Sequence, residues 1–563
     1  MPPLSRTRSG EDSPVRPDSD ASFPSSAELS APADRDPVAV LDPVTALRRP
    51  GERLHPTAYV VDRLLLPATL DEQARDVVVA WLDAAGGDEV SAGLEDAERA
   101  GRRVHARLPD AVGTERAYGA LGVDLRPAAH AVAAPDAWTV LQRARAAHPG
   151  ERLLEQVQLD HVLRAHGRIG STPFHRTAFE QTPFHRTPFH RTPYSSADGS
   201  SVSGYAVPGS GGRQPVLWIG DRPNRRRVRR RRPVVAVLDT GCGVHPWWDD
   251  ANDPRPDAAA IVSEDLRLDG VRVGLVDTDT EGGDTENGDS EGDTEGPLDG
   301  SLDALSGHGT FICGLVHQVC PDADIISVPV VHPDGVIIES DLLDALAQVA
   351  ELAQRHAHGR SDGRAIDVLN LSMGYYHENA SDRAVDPLLL ELLDAIGRAG
   401  TTVVTSAGND ATMRPMYPAA FSRLQRGRSR HARASAPVVA VGAENPDGTV
   451  ALFSNAGEHV QVWAPGAALV STMPITFDGG AEPSGMTVAG RRRASLDPDD
   501  FSGGFGVWSG TSFAAPVVAA RIARNLLKAS ESGEHRLLAR DKGPQGVVER
   551  AWAALDRTLR PEH

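Results

Sequence analysis

Four short segments of this 563-residue chain hold side chains that can do nucleophilic chemistry. Asp239 closes a run of β-branched residues in Val237-Leu238-Asp239-Thr240-Gly241. The carboxyl end of a buried strand is where open α/β sheets bind ligands. Taken alone, capping of the next turn explains an Asp there better. His308 stands between Gly307 and Gly309 at the start of a helical pattern. Small flanks let an imidazole reach out and a substrate come close, although a helix-start histidine beside a turn reads the same way. Asn409 follows Ser406, Ala407 and Gly408, directly after the apolar stretch Thr402 to Thr405. An amide at a strand end can donate to a developing oxyanion, and a turn asparagine is the plain alternative. Ser512 lies in Trp508-Ser509-Gly510-Thr511-Ser512-Phe513-Ala514-Ala515-Pro516, opening an Ala-rich helix. Its N–H is one of the unpaired helix-start donors, and the helix dipole adds positive potential there. The plain alternative is an N-cap serine. Pro516 suits so early a turn only where its lost N–H has no carbonyl to serve.

Positioning these groups needs a sheet. From Pro233 onward, short continuous apolar runs recur at Val234 to Leu238, Ile325 to Val328, Val368 to Leu371, Thr402 to Thr405 and Val438 to Val441. Such runs read as strands buried on both faces. Helical patterns at His308 to Val319, Asp341 to His356 and Pro387 to Arg398 fall between them, the last stopped by Gly400. The alternation predicts a mostly parallel sheet between helical layers. An acidic, Gly-rich insertion, 277–299, interrupts it, and its composition predicts an exposed loop.

Together the four segments, in the order Asp, His, Asn, Ser, resemble the subtilisin-like (subtilase) serine peptidases. The likeness runs from Pro233 to Leu527. It is carried by DTG at Asp239, GHGT at His308, LNLSMG at Leu369 to Gly374, SAGN ending at Asn409 and SGTSFAAP around Ser512, with weaker support from Phe453-Ser454-Asn455-Ala456-Gly457 and Ala464-Pro465-Gly466. It implies a subtilisin-like three-layer α/β fold. It also implies a mechanism in which Ser512 attacks the scissile carbonyl, His308 relays the proton, Asp239 orients the imidazole, and the Asn409 amide with the Ser512 N–H binds the oxyanion. In such enzymes the strand matching Leu371, Ser372, Met373 and Gly374 pairs with the substrate backbone, and Ser406, Ala407 and Gly408 wall the first specificity pocket. The departures are the lengthened gap between Asp239 and His308, Phe311 where a histidine is common, and Ala520 where glycine is common. The resemblance implies no required cofactor. Structural calcium is common in the family, and Asp249, Asp250 and the acidic insertion offer oxygen ligands, but no calcium-loop spacing is present and no metal is assigned.

The rest of the chain divides by composition. Residues 1–49, rich in Ser, Pro, Asp and Arg, read as a disordered tail. Residues 50–167 read as a small α+β domain, with strands at Tyr59 to Pro67, Arg102 to Leu108 and Leu153 to Leu163 and helices at Leu70 to Ala85 and Asp136 to His148. It stands where subtilases often carry an inhibitory propeptide, so intramolecular inhibition and a latent precursor are expected. Residues 168–232 read as a linker with three Thr-Pro-Phe-His-Arg-Thr repeats, holding His175, His185 and His190, and an arginine-rich run from Arg225 to Arg232. That run fits a solvated linker, a maturation site or a polyanion patch. The peptidase part spans 233–532, and 533–563 is a tail with a short helix from Val547 to Leu555.

The formal net charge of −19 disfavours nucleic acid as a partner. Protein or peptide substrates are expected instead. No stretch reaches the length of a membrane span. The polar N-terminus lacks the apolar core of a signal peptide, which points to the cytoplasm, with secretion the alternative. Three cysteines, Cys242, Cys313 and Cys320, make no disulfide framework. The leading reading is an active serine endopeptidase. The competitors are a catalytically silent scaffold of the same fold, which an intact Asp, His, Asn and Ser set argues against, and a binding module in the N-terminal half with a peptidase attached.

Overall fold

The computed structural model describes residues 37–49, 51–95, 106–109, 114–131, 134–165, 213–217, 220–228, 231–248, 261–275, 300, 302–332, 335–379, 387–425, 434–480, 483–532 and 543–560. The Phe-His-Arg repeats, the acidic insertion, Asp249, Asp250 and the first 36 residues lie outside them.

The apolar runs after Pro233 form one seven-stranded sheet. Its spatial order is Val262–Ser263, Asp324–Pro329, Val234–Asp239, Val368–Leu371, Thr402–Ser406, Val438–Glu444 and Val462–Pro465, and every adjacent pair is parallel. All six residues of Val234–Asp239 and all five of Thr402–Ser406 are buried, so both faces are covered. The helices His308–Val319 and Thr511–Glu531 pack on each other and on the sheet. Glu339–Ala357 and Pro387–Arg398 form a second packed pair. The first strand, Val234–Asp239, lies inside the sheet, with later strands added on either side. Such a reversal of strand order opens a crevice at the carboxyl ends, which is where Asp239 ends its strand.

The N-terminal part is a second sheet, ordered Gln158–Ala165, Ala58–Pro67, Ala120–Pro127, Val90–Leu94 and antiparallel throughout. Successive side chains of a strand face opposite ways, and the strand Ala58–Pro67 uses both faces. Leu64 and Leu66 pack with Val78, Leu82, Trp138 and Leu141 of the helices Glu72–Gly86 and Ala137–Ala147. Leu65 faces the other way and joins the main core, as do Leu163 and Ala165. This sheet is completed from the peptidase part. Val336–Ile338 pairs with Arg164 to Val162, and Met373–Gly374 pairs with Ala165 and Arg164.

Several sequence-based boundaries need correction. The folded N-terminal part already includes Val38–Val40, paired with Ala58 to Val60, within the expected disordered tail; four apolar residues and an aspartate between prolines carry no periodicity to read. The strands Val90–Leu94 and Ala120–Pro127 were not anticipated, and the one placed at Arg102 to Leu108 is the hairpin strand Ala106–Pro109. The described end of the expected linker is built into the fold. Gln214–Val216 pairs with Phe505–Trp508. Arg213 is buried over the Trp508 ring and donates to the Asp303 and Ala304 carbonyls. Arg226 and Arg232 bind Asp322, Arg225 binds Asp324, and Arg231 binds Asp367. The described ends of the arginine run are therefore not a solvated spacer: acids at the amino ends of the sheet strands hold Arg225, Arg226, Arg231 and Arg232. The C-terminal tail contains a helix, Gly543–Thr558, longer than expected, whose Val548, Ala551, Ala554 and Leu555 are buried. Among the described residues no helix is long and apolar enough to cross a membrane.

Candidate active site

The strand Val234–Asp239 delivers Asp239 to the crevice, where its carboxylate is buried. Oδ1 accepts from the Thr240 N–H at 2.9 Å and faces Nδ1 of His308 at 2.6 Å. A charge-assisted bond of that length assigns the proton to Nδ1 and leaves Nε2 as the acceptor. His308 opens the helix His308–Val319. The glycine after it is a packing requirement, since a Cβ at Gly309 would lie 2.1 Å from the Gly241 carbonyl oxygen. The Gly309 N–H donates to Thr240 Oγ1 at 2.8 Å, which ties the His308 helix to the Asp239 turn. The imidazole is buried between Trp508 and Phe513, with ring centroids 5.5 and 5.0 Å away. Its Nε2 makes no hydrogen bond among the described residues.

Ser512 is the second residue of the helix Thr511–Glu531 and is buried. The backbone N–H of Pro516 would ordinarily serve the Ser512 carbonyl. Proline has none, and the condition set for a proline so early in the helix is met by another donor. The Ser512 carbonyl instead accepts from Ser372 Oγ at 2.8 Å. Asn370 Nδ2 in turn donates to Ser372 Oγ at 3.0 Å. The link is reciprocal, because Ser512 Oγ donates to the Ser372 carbonyl at 3.3 Å.

Asn409 ends the loop after the strand Thr402–Ser406. Its Oδ1 accepts from both the N–H and the hydroxyl of Thr511, at 2.9 Å each. That fixes which end of the amide is nitrogen, so the donating end is defined. The Gly408 N–H donates to Thr511 Oγ1 at 3.1 Å. Gly408 has φ 106°, and a Cβ there would meet Asn455 Nδ2 at 2.2 Å. Asn455 Nδ2 donates to the Ala407 carbonyl, and its Oδ1 accepts from Asp410 and Thr412. Ser406, Ala407 and Gly408 are all buried on this wall.

The structure thus brings Asp239, His308, Asn409 and Ser512 to one crevice, with Leu371 to Gly374 alongside. Thr240, Thr511 and Asn455, which hold those groups in place, were not singled out from sequence. Thr511 stands next to Ser512 and Asn455 within the Phe453 to Gly457 segment, so proximity to each motif was the available signal. Cys242, Cys313 and Cys320 are buried and form no disulfide with one another. Burial pushes the Cys320 thiol up to about 12.

The residues thus assembled define a class: a three-layer α/β protein with an Asp–His couple beside a helix-start serine at the carboxyl edge of a parallel sheet. A family model for the subtilase family matches residues 230–537, and the chain belongs to that family. The minor extracellular protease Epr of Bacillus subtilis (strain 168) is 26% identical over 265 residues, which are 45% of this chain and 31% of that protein. The intracellular serine protease of Paenibacillus polymyxa is 25% identical over 324 residues, 55% of this chain and 69% of that protein. The chain therefore matches under a third of the Bacillus relative's length. Among solved structures, a cold-adapted subtilisin-like serine proteinase aligns over 56% of this chain and 79% of its own, at 19% identity and a TM-score of 0.31.

Proposed function

We propose that the protein is a serine endopeptidase, made as a latent precursor, that hydrolyses peptide bonds through an acyl-enzyme. The single observation that carries this reading is the 2.6 Å bond from His308 Nδ1 to a buried Asp239, in the crevice that also holds Ser512 at a helix start.

For reaction, the Ser512 hydroxyl turns from the Ser372 carbonyl to His308 Nε2, which the Asp239 bond leaves as the acceptor. Oγ attacks the scissile carbonyl carbon while its proton passes to Nε2. The carbonyl π pair moves onto oxygen, where the Ser512 N–H and Asn409 Nδ2 receive it. Collapse expels the amine, which takes the proton from Nε2. Water repeats the sequence on the acyl-enzyme and frees Ser512.

Latency is supported by the pairing of Met373 with Ala165 and of Gly374 with Arg164. A substrate strand is expected on that edge, and the N-terminal sheet covers it with its own last strand. The adjoining Ser372 carbonyl holds the Ser512 hydroxyl. The test is fluorophosphonate labelling alongside casein hydrolysis, on wild type and Ser512→Ala, before and after mild trypsin treatment. Labelling that rises with trypsin and is absent from Ser512→Ala is the expected result. No labelling at any stage would favour the silent scaffold.

A further inference from the structure

A second enclosed group of polar side chains lies where the N-terminal sheet meets the peptidase part, away from Ser512. His161, on the strand Gln158–Ala165, is buried. Its Nε2 is 2.9 Å from Glu378 Oε2, and its Nδ1 is 2.6 Å from Glu339 Oε2. His377 brings Nδ1 to 3.4 Å from the same Glu378 oxygen. One ligand atom from each of His161, His377 and Glu378 lies within 4.8 Å of the other two.

Three features point to a metal ion rather than a purely hydrogen-bonded cluster. First, His377 Nδ1 accepts the Asn379 N–H at 3.2 Å, so its lone pair is on that nitrogen. That lone pair is the one an ion would take up in exchange for the Asn379 bond, beside the Glu378 oxygen at 3.4 Å. Second, the spacing fits. Zinc with ligands at about 2.0–2.1 Å in a tetrahedron sets ligand edges of about 3.3–3.4 Å and imidazole centroids about 5 Å apart. The observed edges at Glu378 are 3.4 Å to His377, which matches, and 2.9 Å to His161, a hydrogen-bond distance that must open by about 0.4 Å around an ion, while the two rings are 5.3 Å apart. Third, the outer partner is present. A metal-bound imidazole characteristically gives its other N–H to a carboxylate, and Glu339 stands at His161 Nδ1. Glu339 is itself held by the His161 N–H at 3.1 Å and Gln158 Nε2 at 3.2 Å.

We propose that His161, His377 and Glu378 bind one Zn²⁺ ion, oriented by Glu339, which fastens the N-terminal sheet to the peptidase part. Two imidazoles and a carboxylate suit zinc and disfavour calcium or magnesium, which prefer all-oxygen sets. The ion replaces the proton between His161 Nε2 and Glu378 and displaces the 3.2 Å Asn379 bond. His377 is only partly buried, with 11% of its side chain exposed, and gives the ion a way in. The site rests on geometry alone. That it reinforces latency rests on the reading above.

The test uses the full chain carrying Ser512→Ala, so that it stays intact. Metal is stripped with a chelator, and Zn²⁺ is returned in a calorimetric titration with metal content measured in parallel. One zinc per chain is expected. His377→Ala should weaken binding at least about 100-fold and Glu339→Gln by about 10–100-fold. His377→Gln and near-ultraviolet circular dichroism guard against a misfolded variant. Co²⁺ at the site should give the intense visible bands of a tetrahedral ion. Absence of stoichiometric zinc would overturn the proposal. So would binding undiminished in both His377 variants, which would place the ion elsewhere, for instance on His175, His185 and His190. No readout depends on peptidase activity, so failure of that reading leaves this test standing.

Discussion

At the scale of single residues, the site depends as much on polar anchoring as on the groups that would react. Ser512→Ala should abolish hydrolysis, with a loss of about 10⁶-fold, the scale set by subtilisin itself. Asn409→Ala should reduce kcat by about 10²–10³-fold with little change in KM, again on subtilisin's scale. Ser372→Ala should act first on stability, because it strands the Ser512 carbonyl that Pro516 cannot serve. A loss of about 1–3 kcal/mol in urea unfolding is expected; an unchanged midpoint would mean another donor takes over. Acid should unfold the protein partly through His245. Its Nδ1 accepts the Trp247 N–H at 3.1 Å, and Nε2 faces the Gly504 carbonyl at 3.0 Å. A second ring proton would therefore meet a donor. Burial accordingly pushes His245 down to about 4, and does the same to His317. With the folded value below the unfolded one, near 6.5, the unfolded chain binds protons that the native protein refuses. Stability is full above that range and falls as pH drops from about 6.5 to about 4, by up to roughly 3 kcal/mol for each group. His245→Gln should flatten the pH dependence of the urea midpoint over that window.

At the scale of elements, what was legible in the sequence follows from burial. The strands Val234–Asp239, Val368–Leu371 and Thr402–Ser406 are covered on both faces, so each reads as an unbroken apolar run. His308–Val319 and Pro387–Arg398 announce themselves through glycine, proline and apolar spacing. The four site segments were readable because each joins a strand or helix end to a residue of distinct chemistry. The illegible elements are the short ones. Val336–Ile338 owes its existence to Gln158–Ala165, about 170 residues away in sequence, and although the motif announced a strand at Met373–Gly374, its pairing with that same element was hidden, because no local pattern encodes a partner at such a distance. The roles of Thr511 and Asn455 were hidden likewise, since a hydroxyl or amide that braces a loop has no period. The C-terminal helix Gly543–Thr558 was visible only in outline, although its packing on the Ser512 helix makes it part of the peptidase core. Leu555→Ala should cost about 2–5 kcal/mol. A smaller effect in thermal or denaturant unfolding would show that this helix is dispensable.

At the scale of the whole molecule, two units share one sheet edge. Leu65 and Leu163 have their apolar partners in the main core, so the N-terminal sheet is docked through its own interior face. Under the latency reading, Leu65→Asp should raise fluorophosphonate labelling of the uncut chain, and labelling equal to wild type would detach docking from inhibition. The connection between the units is anchored on both sides. Ala165 is held in the ladder with Met373. Arg213 is locked over Trp508, and Arg225, Arg226, Arg231 and Arg232 are clamped by Asp322, Asp324 and Asp367. Both anchors lie outside residues 166–212, which carry the repeats, so copying or losing a Thr-Pro-Phe-His-Arg unit leaves every anchoring contact as it is. Evolution can edit the number of repeats by simple slippage without asking either folded unit to adjust.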